Sequence, residues 1–227
     1  RKAIRLDPRL VVLHNKLAKL LTAQGRLDEA VTRYQKALEV NPNSTPALNG
    51  LASLWSKQGK IDEAIALNRK ALKISPEQAQ AHSNLAAALL LQKDNLDEAV
   101  LLCQQALELD PQLADAHNNL ASALLRQGKI DDAIEGCRKA LELDPQLTDA
   151  YNNLANALVK QGKFDEALSN YTKALEIDPR FTDAHYNLAN MLNRLNKLDG
   201  AVEHYRKALE LDPRRAETYN NLGVVLE

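Results

Sequence analysis

Only two cysteines occur in 227 residues, which excludes a disulfide framework. Aromatic residues make up 4% of the chain. Alanine and leucine abound instead, a balance that suits packed helices better than a β-rich core. No apolar run approaches the roughly 20 residues that a membrane helix needs, so no membrane partner is expected. Arg1 to Leu10 carries no signal-peptide pattern. These features together favour a reducing, cytoplasmic setting. There is no excess of charge of one sign either: the formal net charge is −1. A general nucleic-acid or anionic-membrane surface needs a basic excess, so neither partner is expected. No glycine-rich phosphate loop and no nucleophile elbow occur. What the chain does have is 45% hydrophobic residues, enough to bury a large core.

Those residues recur with a period. Pro8, Pro42, Pro76, Pro111, Pro145, Pro179 and Pro213 are spaced 34, 34, 35, 34, 34 and 34 apart. With each proline set at repeat position 32, position 27 is Ala3, Ala37, Ala71, Ala106, Ala140, Ala174 and Ala208. Position 20 is alanine from Ala30 to Ala201, and position 7 is leucine from Leu17 to Leu222. The full units are 11–44, 45–78, 79–113, 114–147, 148–181 and 182–215. Residues 1–10 read as the tail of an earlier unit and 216–227 as the start of a later one. Such phase marks an internal repeat.

Each unit reads as two helices. In 114–147 the spacing predicts a first helix from Asp115 to Gln127, closed by Gly128 in a left-handed cap. Gly25, Gly59 and Gly162 repeat that role, and Asn196 substitutes for it. The second helix starts near Asp131 and Asp132, whose carboxylates favour a helix N-terminus. It ends at Asp144, where Pro145 blocks continuation. Thr148 and Thr182 are predicted N-caps, and Pro46 a first helical residue. Small residues at positions 8, 20 and 27 allow helices to approach to about 8–10 Å. No unit buries its apolar face alone, so neighbours must stack, and the fold class is an all-α solenoid of antiparallel helix pairs in 34-residue repeats.

On the first helix, positions 3, 4, 7, 8, 10 and 11 are mostly apolar, whereas 2, 5, 6, 9 and 13 form a polar face. Position 6 carries Asn84, Asn119, Asn153, Asn187 and Asn221; position 5 carries Asn15, Asn49, Asn118, Asn152 and Asn220. Position 9 adds Asn156 and Asn190. An acidic row lies at position 2 (Asp115, Asp149, Asp183, Glu217) and a basic row at position 13 (Lys57, Arg126, Lys160, Arg194). A carboxamide has donors and an acceptor, which match the N–H and C=O of a peptide group. A row of asparagines in phase is therefore a candidate peptide-binding ladder, with the flanking charges selecting side chains. The competing reading is a merely solvated face copied from one ancestral repeat.

The pattern resembles the tetratricopeptide repeat: Leu at 7, a small residue at 8, Ala at 20 and 27, an aromatic at several 24s, Pro at 32. It departs at position 4, which is His, Leu or Tyr, and at position 11, which is Leu or Trp55 where the family has Tyr. The resemblance covers the whole chain and implies a right-handed superhelix whose polar first-helix face lines a concave groove. The runs Asp115–Ala121 and Asp149–Ala155 look most like the repeat array of O-linked N-acetylglucosamine transferases. In that family an asparagine ladder at position 6 holds substrate backbones. Lys16 and Gly50 break the ladder at its N-terminal end. Chaperone-binding members clamp a terminal carboxylate with a basic position 2; Val12, Pro46 and Gln80 do not fit that clamp.

Other residues look chemical and are read as structural. His14, His82, His117 and His185 share position 4, one repeat apart, too far for one metal with bonds of about 2 Å. Cys103 and Cys137 share position 24 of neighbouring units and are expected as buried thiols. The acidic pairs at positions 18–19 cap helices rather than form an acid–base couple. No catalytic residue, metal or cofactor is therefore assigned. Lys93, Asp94 and Asn95 place one extra residue in a turn, which turns absorb cheaply. The expected function is a scaffold that binds a protein or extended peptide and is not itself an enzyme. The alternatives are the substrate-recruiting part of a peptide-modifying glycosyltransferase, and a module that associates head to tail through its ends. An RNA-binding repeat is disfavoured by the charge balance.

Overall fold

The computed structural model describes residues 8–92 and 95–227. Residues 1–7, including Ala3, and the inserted turn at Lys93 and Asp94 lie outside the described residues. Among the described residues the chain is all α-helical, with thirteen helices and no strand. It divides into two compact units between Asn119 and Leu120. The first holds α1 (Pro8–Ala23), α2 (Leu27–Val40), α3 (Thr45–Lys57), α4 (Ile61–Ile74), α5 (Ala79–Gln92), α6 (Leu96–Leu109) and the start of α7 (Ala114–Arg126). The second holds the rest of α7, then α8 (Ile130–Leu143), α9 (Thr148–Lys160), α10 (Phe164–Ile177), α11 (Thr182–Arg194), α12 (Leu198–Leu211) and α13 (Ala216–Leu226).

From α1 to α6 and from α8 to α13 each helix packs on the next in the chain, and alternate helices also meet. In the first unit α3 touches α1 and α5; in the second α11 touches α9 and α13. The alanines make this approach possible. Ala18, Ala52, Ala86, Ala121, Ala155 and Ala189 at position 8 are fully buried, as are Ala37, Ala71, Ala106, Ala140, Ala174 and Ala208 at position 27. A longer side chain there would overpack the contact at a cost of about 1–3 kcal/mol.

Turn chemistry explains the punctuation. Gly25, Gly59, Gly128 and Gly162 have φ between +73° and +80°, and Asn196 has φ +57°. A Cβ on any of these glycines meets no atom within 4 Å, so backbone conformation and not space calls for them. The next residue closes a six-to-one bond, as from Lys163 N–H to Leu158 O at 2.9 Å. Second helices end on an Asx turn. Asp110, Asp144, Asp178 and Asp212 accept the N–H two residues on at 2.9–3.1 Å, straddling the proline. His82, His117 and His185 then bind the carbonyl of that proline through Nε2, at 2.8, 3.0 and 3.2 Å. Position 4 thus ties a first helix to the turn that precedes it.

Three boundaries differ from expectation. Thr148 and Thr182 are the first residues of α9 and α11; the caps are Leu147 and Phe181, whose backbones are extended. Their apolar side chains have no atom with which to cap, and the Asx turns at Asp144 and Asp178 order the entry instead. Pro46 is the second residue of α3, not the first. Helix α1 begins at Pro8 itself, a place where proline's missing N–H costs nothing.

Candidate functional site

The position-6 asparagines do not stand free on the helix surface. In the first unit Asn119 Nδ2 donates to the Ser83 carbonyl at 3.2 Å and to Ser83 Oγ at 3.0 Å. In the second, Asn187 Nδ2 donates to Asn152 Oδ1 at 3.0 Å. Asn221 Nδ2 donates to Asn190 Oδ1 at 2.9 Å and to the Tyr186 hydroxyl at 3.2 Å. Each of these bonds runs from position 6 to position 5 or 9 of the preceding repeat. Asn84 differs: its Oδ1 accepts from Gln80 Nε2 on its own helix at 2.9 Å. The ladder is therefore also a set of ties between repeats.

Position 5 is a correction. A helical wheel puts Asn118 and Asn152 on the open polar face, but both are only 7% exposed. For Asn152 the reason is local. α11 lies against α9, and Asn187 reaches across to its oxygen. A wheel treats one helix in isolation and so misses the neighbour that covers it.

In the second unit a pocket of about 470 Å³ opens on the first-helix face. Asn153, Asn156, Asn187 and Asn190 line it with Arg126, Lys160 and Arg194, together with the apolar Leu125, Val159 and Met191. Two buried tyrosines hold its position-9 asparagines. The Tyr171 hydroxyl donates to Asn156 Oδ1 and the Tyr205 hydroxyl to Asn190 Oδ1, both at 2.6 Å. Burial pushes both phenols above their ordinary pKa, so they remain donors. Position 24 is tyrosine and position 9 asparagine in both of these repeats, a pairing that sequence reading left unnoticed.

Asp183 is paired with the Arg215 guanidinium at 2.5 Å. Arg215 also lies over the Tyr186 ring, 4.2 Å from its centre. Asp149 is exposed and outside the pocket lining. Asp115 is exposed and belongs to the first unit. Arg126, Lys160 and Arg194 do come together at the pocket, with Arg194 also 5.9 Å from the Phe164 ring.

The first unit shows why its ladder breaks. Tyr34, at position 24 of its repeat, lays its ring against Gly50, at position 6 of the next. A Cβ on Gly50 would lie 2.6 Å from both Tyr34 Cε1 and the hydroxyl oxygen, and closer still to Cζ. The ring occupies the place of the missing rung.

Acidic residues in the first turns of second helices are engaged structurally. Asp28 and Asp62 accept from Gln58 and Gln92 of the following repeat at 3.3 and 2.5 Å, and Asp131 accepts from Gln161. These acids open helices α2, α4 and α8 and also tie repeats together. Cys103 and Cys137 are free and buried, with both thiols pushed up to about 12 by burial. Among the described residues, no group of three or more His, Cys, Asp or Glu is placed to hold a metal. No described helix is long and apolar enough to cross a membrane. A larger hollow of about 1110 Å³ lies over His185, Leu188 and His204 and shares no residue with the asparagine pocket. The two histidines bind each other there through Nδ1 at 2.9 Å.

No protein of curated function matches the chain significantly. Similar solved structures are plentiful. The chain superposes on one from the APC/C Cut9–Hcn1 hetero-tetramer with a TM-score of 0.82 and 19% identity over 96% of its own length. It spans 43% of that chain, a likeness of fold alone. It is 28% identical to TTC0263, a thermophilic tetratricopeptide protein of Thermus thermophilus, with a TM-score of 0.68 over 80% of this chain and 98% of that one. It is 25% identical to YrrB, described as a tetratricopeptide protein with an unusual peptide-binding site, with a TM-score of 0.51 over 82% and 96% of the two chains. The family model of the cilia and flagella-associated protein 70 C-terminal domain, a tetratricopeptide domain, matches residues 11–222. With helix pairs, left-handed glycine caps and prolines all in register, the chain belongs to the tetratricopeptide repeat family described by that domain.

Proposed function

We propose that this chain is a protein-interaction scaffold that binds an extended peptide segment on its first-helix face, in the asparagine-lined pocket of the second unit. One observation carries the reading: Asn153, Asn156, Asn187 and Asn190 converge on a single pocket with no acidic side chain in its lining. The repeat ties refine the chemistry. Asn187 spends its Nδ2 on Asn152, so its Oδ1 is the atom that meets a ligand, accepting a backbone N–H. Asn152 acts by supporting the face rather than by touching the peptide. The face of the first unit, with Asn84 and Asn119, is a separate candidate. The family match is to a cilia-associated domain and lends no support to the glycosyltransferase likeness.

The test is to select binders from a displayed library of random peptides and compare them on the wild type and on an Asn153→Ala/Asn187→Ala variant. Thermal melting checks that the variant is folded. A net hydrogen bond is worth about 0.5–1.5 kcal/mol. Two lost rungs therefore weaken binding by about 1–3 kcal/mol, roughly five- to a hundred-fold in Kd. Equal affinity for both proteins would sink the proposal.

A further inference from the structure

The pocket of the second unit is biased in both charge and hydrogen-bond polarity. Three cationic side chains border it, from the last turns of α7, α9 and α11, and its lining contains no carboxylate. The asparagines at position 9 add to the bias. Asn156 Oδ1 is taken by the Tyr171 hydroxyl, and Asn190 Oδ1 by the Tyr205 hydroxyl and Asn221. What these two carboxamides have left to offer a ligand is their Nδ2 groups, which only donate. Guanidinium and ammonium groups likewise donate and never accept. Its position-9 carboxamides and its three cations thus offer donors, and Leu125, Val159 and Met191 share the lining. An ionised carboxylate is acceptor-only, and two guanidinium forks suit its planar shape. The apolar part of the lining suits a methylene stem.

We infer that this pocket is a carboxylate-reading subsite, taking glutamate side chains of the segment whose backbone meets Asn187. The inference rests on the peptide-binding reading above and adds the class of ligand. The site differs in register from a clamp for a terminal carboxylate. Its cations stand at position 13 of successive first helices, where any glutamate along an extended segment reaches them. Arg126, Lys160 and Arg194 set the preference for charge; the Asn187 oxygen meets the backbone whatever its sequence. Binding weakens with added salt, because exposed charges are screened over about 8–10 Å.

The experiment is fluorescence anisotropy of the full chain with three fluorescein-labelled dodecapeptides. They alternate alanine with glutamate, with glutamine or with phosphoserine. The expected result is that the glutamate peptide binds about ten-fold or more tightly than the glutamine peptide, one decade being about 1.4 kcal/mol. The preference falls towards unity in an Arg126→Gln/Lys160→Gln/Arg194→Gln variant. Equal binding of the glutamate and glutamine peptides overturns the carboxylate subsite and leaves the groove reading standing. Absence of binding by all three overturns both. A phosphoserine peptide held ten-fold more tightly than the glutamate peptide overturns the assignment to carboxylate. Should the triple variant fail to fold, the glutamate-to-glutamine ratio and its fall with salt on the wild type decide the matter alone.

Discussion

The contact between Tyr34 and Gly50 makes a quantitative prediction. Gly50 lies in the middle of α3, where replacing glycine by alanine normally stabilises a helix by about 1 kcal/mol. Here the added Cβ would sit 2.6 Å from Tyr34 Cε1 and the hydroxyl oxygen, against an ordinary carbon–carbon contact of about 3.5–4.0 Å. Tyr34 is only 3% exposed, so its ring has no open space to enter. Overpacking of this depth belongs at the upper end of the usual range, about 3 kcal/mol. The net expectation for Gly50→Ala is a loss of about 2 kcal/mol, the difference between that overlap and the helix gain. Tyr34→Cys, which installs the residue found at the same position as Cys103 and Cys137, removes the obstruction. In that background Gly50→Ala should stabilise by about 1 kcal/mol, so the coupling between the sites is about 3 kcal/mol. Urea unfolding of the four proteins, followed by circular dichroism, measures it. Equal effects of Gly50→Ala in the two backgrounds would refute the argument that the tyrosine ring displaces the rung.

Two further outcomes follow from buried polar groups. Asn68 is fully buried and neither of its amide atoms meets a protein partner; an unmade bond of this kind costs about 1–3 kcal/mol. Asn68→Cys, again matching Cys103 and Cys137, should raise the unfolding midpoint, and an unchanged or lower midpoint contradicts the assignment. For His204, burial and then the neighbouring His185 hold the imidazole below its ordinary pKa. The unfolded chain therefore binds more protons than the folded one below about pH 6.5. Its contribution to stability is complete above that value and is lost as the pH falls through the folded pKa. A His204→Asn variant should lose less stability than wild type between about pH 7.5 and pH 5 in paired denaturation curves.

Much of the architecture was legible because it depends on local chemistry. A left-handed turn needs glycine or asparagine, so Gly128 and Asn196 mark it in any context. The prolines and the phased alanines act the same way. The candidate site was legible only in part, because its state depends on what a neighbouring helix brings. Asn152 reads as an open polar residue until Asn187 and α11 are placed against it. Asn156 and Asn190 read as two more rungs, whereas the buried tyrosines consume their oxygens. Asp183 reads as a groove charge, yet Arg215 from the far end of the same repeat neutralises it. Thr148 satisfies the residue preference for a cap but not the geometry, since the turn that positions it is set by Asp144.

The cross-repeat bonds of the asparagines bear on how the second unit yields to force. Asn187 and Asn221 each fasten one first helix to the preceding one. A pull that separates these helices must break side-chain bonds on that face as well as slide apart apolar contacts. An occupant of the pocket would span the same gaps and stiffen them further. Tension on this unit and occupancy of its pocket should thus be thermodynamically linked, each resisting or favouring the other according to the spacing it imposes.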